Sequence, residues 1–283
     1  MYIDYHVHTE FSDDSIYPME EVVSDAIKMG IEEICFTDHV DYGIKRDWSD
    51  SRGIEYRAGG PGEPDRIPMA NVDYEKYEGK IRALQDHYKD LINIKMGIEF
   101  GIQTHTISQY KELFVKYPFD FVILSVHQIE DKEFWNQEFQ KGRTQQEYNE
   151  LYYKEILSIV NNYHDYSVLG HLDLISRYDK RGYYPFEEIK PLVAEILKTV
   201  IADGKGIEIN TSSYRYGLTD LTPSRNILRL YRELGGSIIT IGSDSHKKEY
   251  LGFGIHEAKQ ELRNLGFSWF CTFDDMEAIY HVL

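Results

Sequence analysis

Short runs rich in Ile, Val, Phe and Tyr alternate with longer runs of helical periodicity along almost the whole chain. This alternation restricts the fold more than any other feature. The strand-like runs are 2–8, 33–38, 92–100, 119–127, 167–172, 206–211 and 237–242, each carrying the β-branched and aromatic enrichment of a buried strand. Between them, 19–29, 74–91, 145–163, 186–203 and 224–234 space their apolar residues as one face of a helix requires. In the first, Val22, Val23 and Ile27 share a side and Pro18 precedes the first turn. Thr222-Pro223-Ser224 is a start signal for the last, and Gly30, Gly204 and Gly235 stand where left-handed caps end helices. Strands separated by helices predict a parallel sheet. Seven of them predict closure into a distorted (β/α)7 TIM-like barrel, with a two-sided open sheet as the alternative.

At 283 residues the chain exceeds a typical domain, but β/α barrels of this length are single units, so one domain over 1–283 is expected. Two connections are long. Residues 43–73 include the Gly/Pro-rich AGGPGEPDRIP, and residues 128–147 are polar with Phe134 and Trp135 adjacent. Connections of this length are expected to be lids or binding loops.

The 31 basic and 48 acidic residues give a formal charge of −17. This argues against sequence-independent binding of nucleic acid, whose affinity comes from Lys and Arg on phosphates, but leaves room for a small anionic substrate met by a few cations. Cys35 and Cys271 lie in apolar surroundings and read as buried free thiols of a reducing compartment. Two cysteines exclude a zinc ribbon or disulfide framework. No signal peptide fits MYIDYHVHTE and no apolar run is long enough to span a membrane, so a cytoplasmic protein is expected.

The histidines fall where the strands end. His6 and His8 close the first run, and positions two apart on a strand face one side. His39 follows the second run, Glu99 closes the third, His127 ends the fourth, His171 is near the end of the fifth, and Asp244 and His246 follow the seventh. In β/α barrels all these ends converge on the face that hosts the active site. Imidazoles mixed with carboxylates are the ligand set of zinc, iron or manganese. One such histidine alone would be an ordinary hydrogen-bonded core residue. Six together near carboxylates would be costly to bury without cations. His87, His105, His164, His256 and His281 lie in expected helices, loops or the tail and read as structural.

Asp-x-His-x-His at the start, then Thr37-Asp38-His39, a strand-terminal Glu99, Ser125-x-His127, Gly170-His171-x-Asp173 and Ser243-Asp244-Ser245-His246 resemble, in this order, the motifs of the polymerase-and-histidinol-phosphatase (PHP) superfamily. Phe11-Ser12-x-Asp14-Ser15, the Thr37-Asp38-His39-x-Asp41 run, and Gly170–Ile175 with Arg177 and Tyr178 are similar to its histidinol-phosphatase branch. The resemblance runs from Asp4 to His246. It implies a barrel of seven β/α units with up to three divalent metal ions (Zn, Fe or Mn), and metal-dependent hydrolysis of L-histidinol phosphate in histidine biosynthesis. By matching position, His6, His8, Glu99 and Asp244 would hold one metal. Glu99, His127 and His171 would hold a second, with Glu99 shared. Asp14, His39 and His246 would hold a third, Asp13 being the alternative to Asp14.

Hydrolysis of a phosphate monoester needs an activated water and neutralised charge. Arg177, Lys180, Arg181 and Arg215 follow the fifth and sixth strands and are candidates for the phosphoryl oxygens. Asp173, Asp41 and His246 are candidates to protonate the leaving group. Asp41, Tyr42 and Trp135 are candidates to hold the amine and imidazole of the substrate. Two alternatives stay open: a related phosphoesterase acting on nucleotides or small phosphate esters, and a non-catalytic metal-binding relative.

Overall fold

The computed structural model describes residues 1–59 and 64–283. Part of the Gly/Pro-rich run, residues 60–63, therefore lies outside the described residues. Seven strands follow one another around a parallel sheet: β1 (Ile3–Val7), β2 (Glu33–Phe36), β3 (Asn93–Gly101), β4 (Phe121–Ser125), β5 (Val168–Leu169), β6 (Gly206–Asn210) and β7 (Ile239–Gly242). Each neighbouring pair is parallel and in sequence order. The ring closes just past the C-terminal ends of β7 and β1. Ser245 bridges Val7, with His8 N–H donating to Ser245 O at 2.8 Å and Ser245 N–H to His6 O at 3.2 Å. The Asp4 carboxylate adds a bond from Ser243 N–H at 2.8 Å. The expected barrel, rather than an open sheet, is what forms.

Closure depends on a residue with no side chain. A Cβ on Gly242 would overlap His6 Cβ and lie 2.9 Å from the His6 backbone nitrogen and 2.8 Å from Glu208 Oε1. Backbone cannot give way as a flexible side chain can, so overpacking here must separate β7 from β1. Gly242→Ala is expected to destabilise the fold by about 1–3 kcal/mol, read as a lowered midpoint in thermal or urea unfolding. An unchanged midpoint would mean the closure is looser than described.

The helices α1 (Met19–Met29), α2 (Tyr74–Tyr88), α3 (Ile107–Phe114), α4 (Gln145–Val160), α5 (Phe186–Ala202), α6 (Arg225–Glu233) and α7 (Ile255–Asn264) accompany the barrel strands. All five helices expected from periodicity are present; α3 and α7 were not expected, at 8 and 10 residues each. Gly30 ends α1 at φ 76°, its N–H reaching back to Ala26 and Ile27 carbonyls. The two long connections each contain a small antiparallel hairpin, Tyr56–Ala58 with Arg66–Pro68 and Gln128–Ile129 with Lys132–Glu133.

A further hairpin, Trp269–Asp274 with Glu277–Val282, was not anticipated. It packs beneath the barrel, where Tyr5 O–H donates to Phe273 O at 3.1 Å and accepts from Phe273 N–H at 2.9 Å, and Met276 N–H donates to Asp120 O at 2.9 Å. The floor of the barrel is thus covered, and the opposite, C-terminal end is left for chemistry. Among the described residues no helix is long and apolar enough to cross a membrane.

Candidate metal centre at the barrel mouth

Strand register brings the scattered residues together. The two-residue strand His39–Val40 pairs with β3 so that His39 stands opposite Glu99, and Glu99 in turn stands opposite Ile123 of β4, two positions before Ser125 and four before His127. His6 and His8 arrive from β1 on one face. His171 and Asp244 sit just after β5 and β7 with φ of 20° and 55°, left-handed values that residues other than glycine adopt at a cost and that concentrate at functional sites.

Glu99 is the hub. Its Oε1 accepts from Ser125 Oγ at 2.7 Å and lies 2.9 Å from His171 Nε2 and 3.2 Å from His127 Nε2. Its Oε2 lies 3.1 Å from His39 Nδ1, 3.2 Å from His6 Nε2 and 3.6 Å from His8 Nε2. Asp244 Oδ1 stands 3.5 Å from His8 Nε2 and 3.8 Å from His6 Nε2. Asp14 Oδ2 stands 3.1 Å from His246 Nε2 and 3.4 Å from His39 Nε2. The residues of the three expected ligand sets therefore lie side by side at one mouth. Asp13 turns instead to Lys45, with Arg57 3.9 Å away, so Asp14 is the carboxylate that joins the imidazoles.

The electrostatics show what this cluster lacks. Burial would raise Glu99, but His6, His127 and His39 outweigh it and hold the carboxyl well below its usual range. Burial is likewise overcome at Asp244, by His6, His8 and His246 among others, and the more exposed Asp14 is drawn down by His246 and His39. Burial lowers the imidazoles, yet Glu99 and Asp41 carry His127 up to about 10, and Asp14 with Asp244 carries His246 up to about 9. His8, pressed by burial and by His246 and His39, is pushed well below its ordinary value. The carboxylates call for positive charge, and His8, stacked against His246 and His39 with ring centroids 4.0 and 4.3 Å away, does not supply it by protonation.

Divalent cations fit this demand. Among the described residues four trios place ligating atoms within 4.8 Å of one another: His6/His8/Asp244, His6/Glu99/His171, His39/Glu99/His127 and His8/His39/His246. The buried His8 Nε2 and His171 Nδ1 have no hydrogen-bond partner. Nitrogen and carboxylate donors in this proportion suit zinc, iron or manganese.

The centre lines a cavity of about 780 Å³ that also takes in Asp41, Arg177, Arg215 and Trp135. Arg177 donates from Nη2 to Ser212 Oγ at 2.7 Å, lies 3.6 Å from Asp244 and stacks 4.1 Å over Tyr216. Arg215 is held by the Ser243 and Asp244 carbonyls, both at 2.9 Å, and stacks 4.2 Å over Tyr250. Arg177 Nε and Arg215 Nη1 are buried donors without partners. Asp41 accepts from Lys45 at 2.9 Å and lies 2.8 Å from His127 Nδ1, and these cations hold it well below its usual range despite burial.

Four expected residues fall elsewhere. Asp173 accepts Ser224 N–H at 2.8 Å at the start of α6, and burial pushes it up to about 7 in that niche outside the cavity. The Tyr42 hydroxyl turns to Asp47 and Tyr74, at 3.0 and 3.2 Å. Lys180 and Arg181 border a separate surface depression beside Tyr148. Between Tyr178 and this pair Asp179 accepts Arg181 N–H at 2.9 Å and the Tyr148 hydroxyl at 2.5 Å, on the side of that depression.

Glu208 was not anticipated. Its Oε1 lies 2.5 Å from His6 Nδ1 and its Oε2 accepts His171 N–H at 3.0 Å. A fully buried carboxylate in the apolar β6 sequence GIEIN was the available signal. By fixing the His6 tautomer it leaves Nε2 as the donor atom. Glu208→Gln is expected to weaken metal affinity about 10–100-fold, measured by competition with a chromophoric chelator; unchanged affinity would remove Glu208 from the centre. Asp38, also missed, accepts from Thr9 N–H at 2.7 Å and Ser12 Oγ at 2.6 Å and holds the loop that carries Asp13 and Asp14.

Comparison with known proteins gives a consistent result. Residues 4–212 match the family model of the PHP domain. The histidinol-phosphatase of Lactococcus lactis is 34% identical over 282 residues, covering 97% of this chain and 95% of that protein. A probable histidinol-phosphatase of Clostridium acetobutylicum is 29% identical, covering 93% and 94%. Among solved structures, the Lactococcus lactis histidinol phosphate phosphatase complexed with zinc, L-histidinol and phosphate superimposes with a TM-score of 0.80 at 33% identity, over 98% of each chain.

Proposed function

The chain belongs to the PHP domain family, and from that premise we propose that it is a metal-dependent phosphoric monoester hydrolase that converts L-histidinol phosphate and water to L-histidinol and phosphate. The observation that carries this reading is the placement of Glu99 among five imidazoles, in one cavity with two arginines that each keep an unpartnered buried nitrogen. The relatives named above support the substrate.

His6, His8, Glu99 and Asp244 would hold one ion, Glu99, His127 and His171 a second, and Asp14, His39 and His246 a third. Such ions, when bound, acidify water near neutral pH and draw charge from phosphoryl oxygens. The chain's own groups do the rest. Arg177 and Arg215, held by their stacks on Tyr216 and Tyr250, bring two guanidinium groups to the cavity wall for the phosphoryl oxygens. The water oxygen bonds to phosphorus as the ester P–O bond breaks, and the departing alkoxide takes a proton at the cavity wall. His246 lines that wall and Asp173 does not; Asp41 lines it too, but Lys45 and His127 hold it ionised, so it has no proton to give.

We read the chain as one domain, since the terminal hairpin packs under the barrel that begins at Ile3. The two buried free thiols support a reducing, cytoplasmic setting, and a charge of −17 speaks against nucleic acid as partner. Steady-state kinetics on L-histidinol phosphate, p-nitrophenyl phosphate, a dinucleotide and a nucleoside monophosphate test the proposal. L-Histidinol phosphate is expected to give the highest kcat/KM; preference for either nucleotide substrate would overturn it.

A further inference from the structure

Charge is divided unevenly inside the cavity. Arg177 and Arg215 follow β5 and β6 and are drawn toward Asp244. Glu133, in the hairpin after β4, has Asp41, Lys45 and Asp13 as its charged surroundings. Two of these three acids already have cations. Asp13 bonds Lys45, and Asp41 bonds both Lys45 and His127. Glu133 forms no ion pair among the described residues; its hydrogen-bond partners are neutral, Asn136 Nδ2 at 3.2 Å and the Trp135 side chain. Trp135 itself lines the same cavity with 60% of its surface exposed. A carboxylate lacking a cation beside an open indole face is a combination suited to an ammonium group, one partner by charge and the other by its ring face.

We propose that Glu133, seconded by Trp135, determines specificity by taking the ammonium end of an amino-alcohol phosphate whose phosphate group is turned to Arg177 and Arg215. This inference rests on the phosphatase reading given above and deepens it. It explains why a cavity built for an anion keeps an acid without a cation: the substrate carries both charges, and the site meets each separately. A phosphate ester without an ammonium group would leave Glu133 desolvated against it without compensation.

The test compares kcat/KM for L-histidinol phosphate with that for n-propyl phosphate, which has the same phosphate and no amine, in the full-length, metal-loaded enzyme. In Glu133→Gln the ratio of the two is expected to fall about tenfold or more, with the loss carried by KM for L-histidinol phosphate. Glu133→Asp, which keeps the charge with a shorter reach, is expected to lie between Gln and the unaltered enzyme, and it decides the question if the Gln variant does not fold. A smaller fall in Glu133→Gln, an equal loss on both esters, or an Asp variant no better than Gln would overturn the assignment. If the unaltered enzyme shows no preference for L-histidinol phosphate, the proposed function fails instead; if the preference is present and survives in Glu133→Gln, only the role of Glu133 fails.

Discussion

Glu99→Gln is expected to lower kcat/KM for L-histidinol phosphate by ~10³-fold or more, about 4 kcal/mol of transition-state stabilisation. The substitution keeps the shape and removes the charge on which the centre is organised. Five imidazoles face the two oxygens of Glu99 within 3.6 Å, and no other carboxylate among the described residues pairs with ring nitrogens on both the His6/His8 side and the His127/His171 side; Glu208 meets only the backbone of His171. An amide nitrogen placed there cannot ligate a cation, and it turns an acceptor into a donor facing ring nitrogens. Metal retention is therefore expected to fall together with activity. Kinetics and elemental analysis of the same preparation check this, with the unfolding midpoint as a control for the fold. Loss of activity with metal content and midpoint unchanged would assign Glu99 a role other than holding cations.

Arg177→Met is expected to cost ~10²–10³-fold in kcat/KM, in line with removal of one preorganised donor to a developing negative charge. The guanidinium is buried, anchored on Ser212 and stacked on Tyr216, and its Nε is left without a partner. Met preserves much of the apolar stem, so the loss reports the fork rather than packing. Arg177→Lys is expected to recover little, because a single ammonium cannot reproduce the planar fork or the stack. Steady-state kinetics on all three proteins provide the check. A loss below tenfold in Arg177→Met would mean that phosphate binds elsewhere in the cavity.

Much of this arrangement was legible in the sequence, for reasons visible in particular residues. The convergence of strand-terminal residues such as His6, His8 and Glu99 was readable because a strand alternates with period two and parallel barrel strands end on one face. Nothing about them depends on loop conformation. Which of Asp13 and Asp14 faces the imidazoles was not decidable in that way, since Asp13 turns to Lys45, a loop residue. Lys180 and Arg181 sit just past Arg177 in sequence, but Asp179 between them bonds Arg181 N–H and Tyr148, and the pair borders a different depression. Asp173 follows a strand end as expected, yet it serves the start of α6 through Ser224. The terminal hairpin escaped because its turn uses Asp275 and Met276 at φ of 46° and 67°, where the usual Asn-Gly or Asp-Gly signal is absent. Glu208 lay in plain view as an acid within an apolar strand, and its meaning appears only once His6 is seen beside it.

The most direct test of the account is metal content against turnover. Elemental analysis of the purified protein, followed by exhaustive chelation and stepwise return of zinc, iron or manganese, should find about two to three equivalents per chain. Phosphatase activity should disappear on chelation and return in proportion to occupancy. Full turnover of L-histidinol phosphate by protein holding less than a stoichiometric amount of any divalent metal would contradict it.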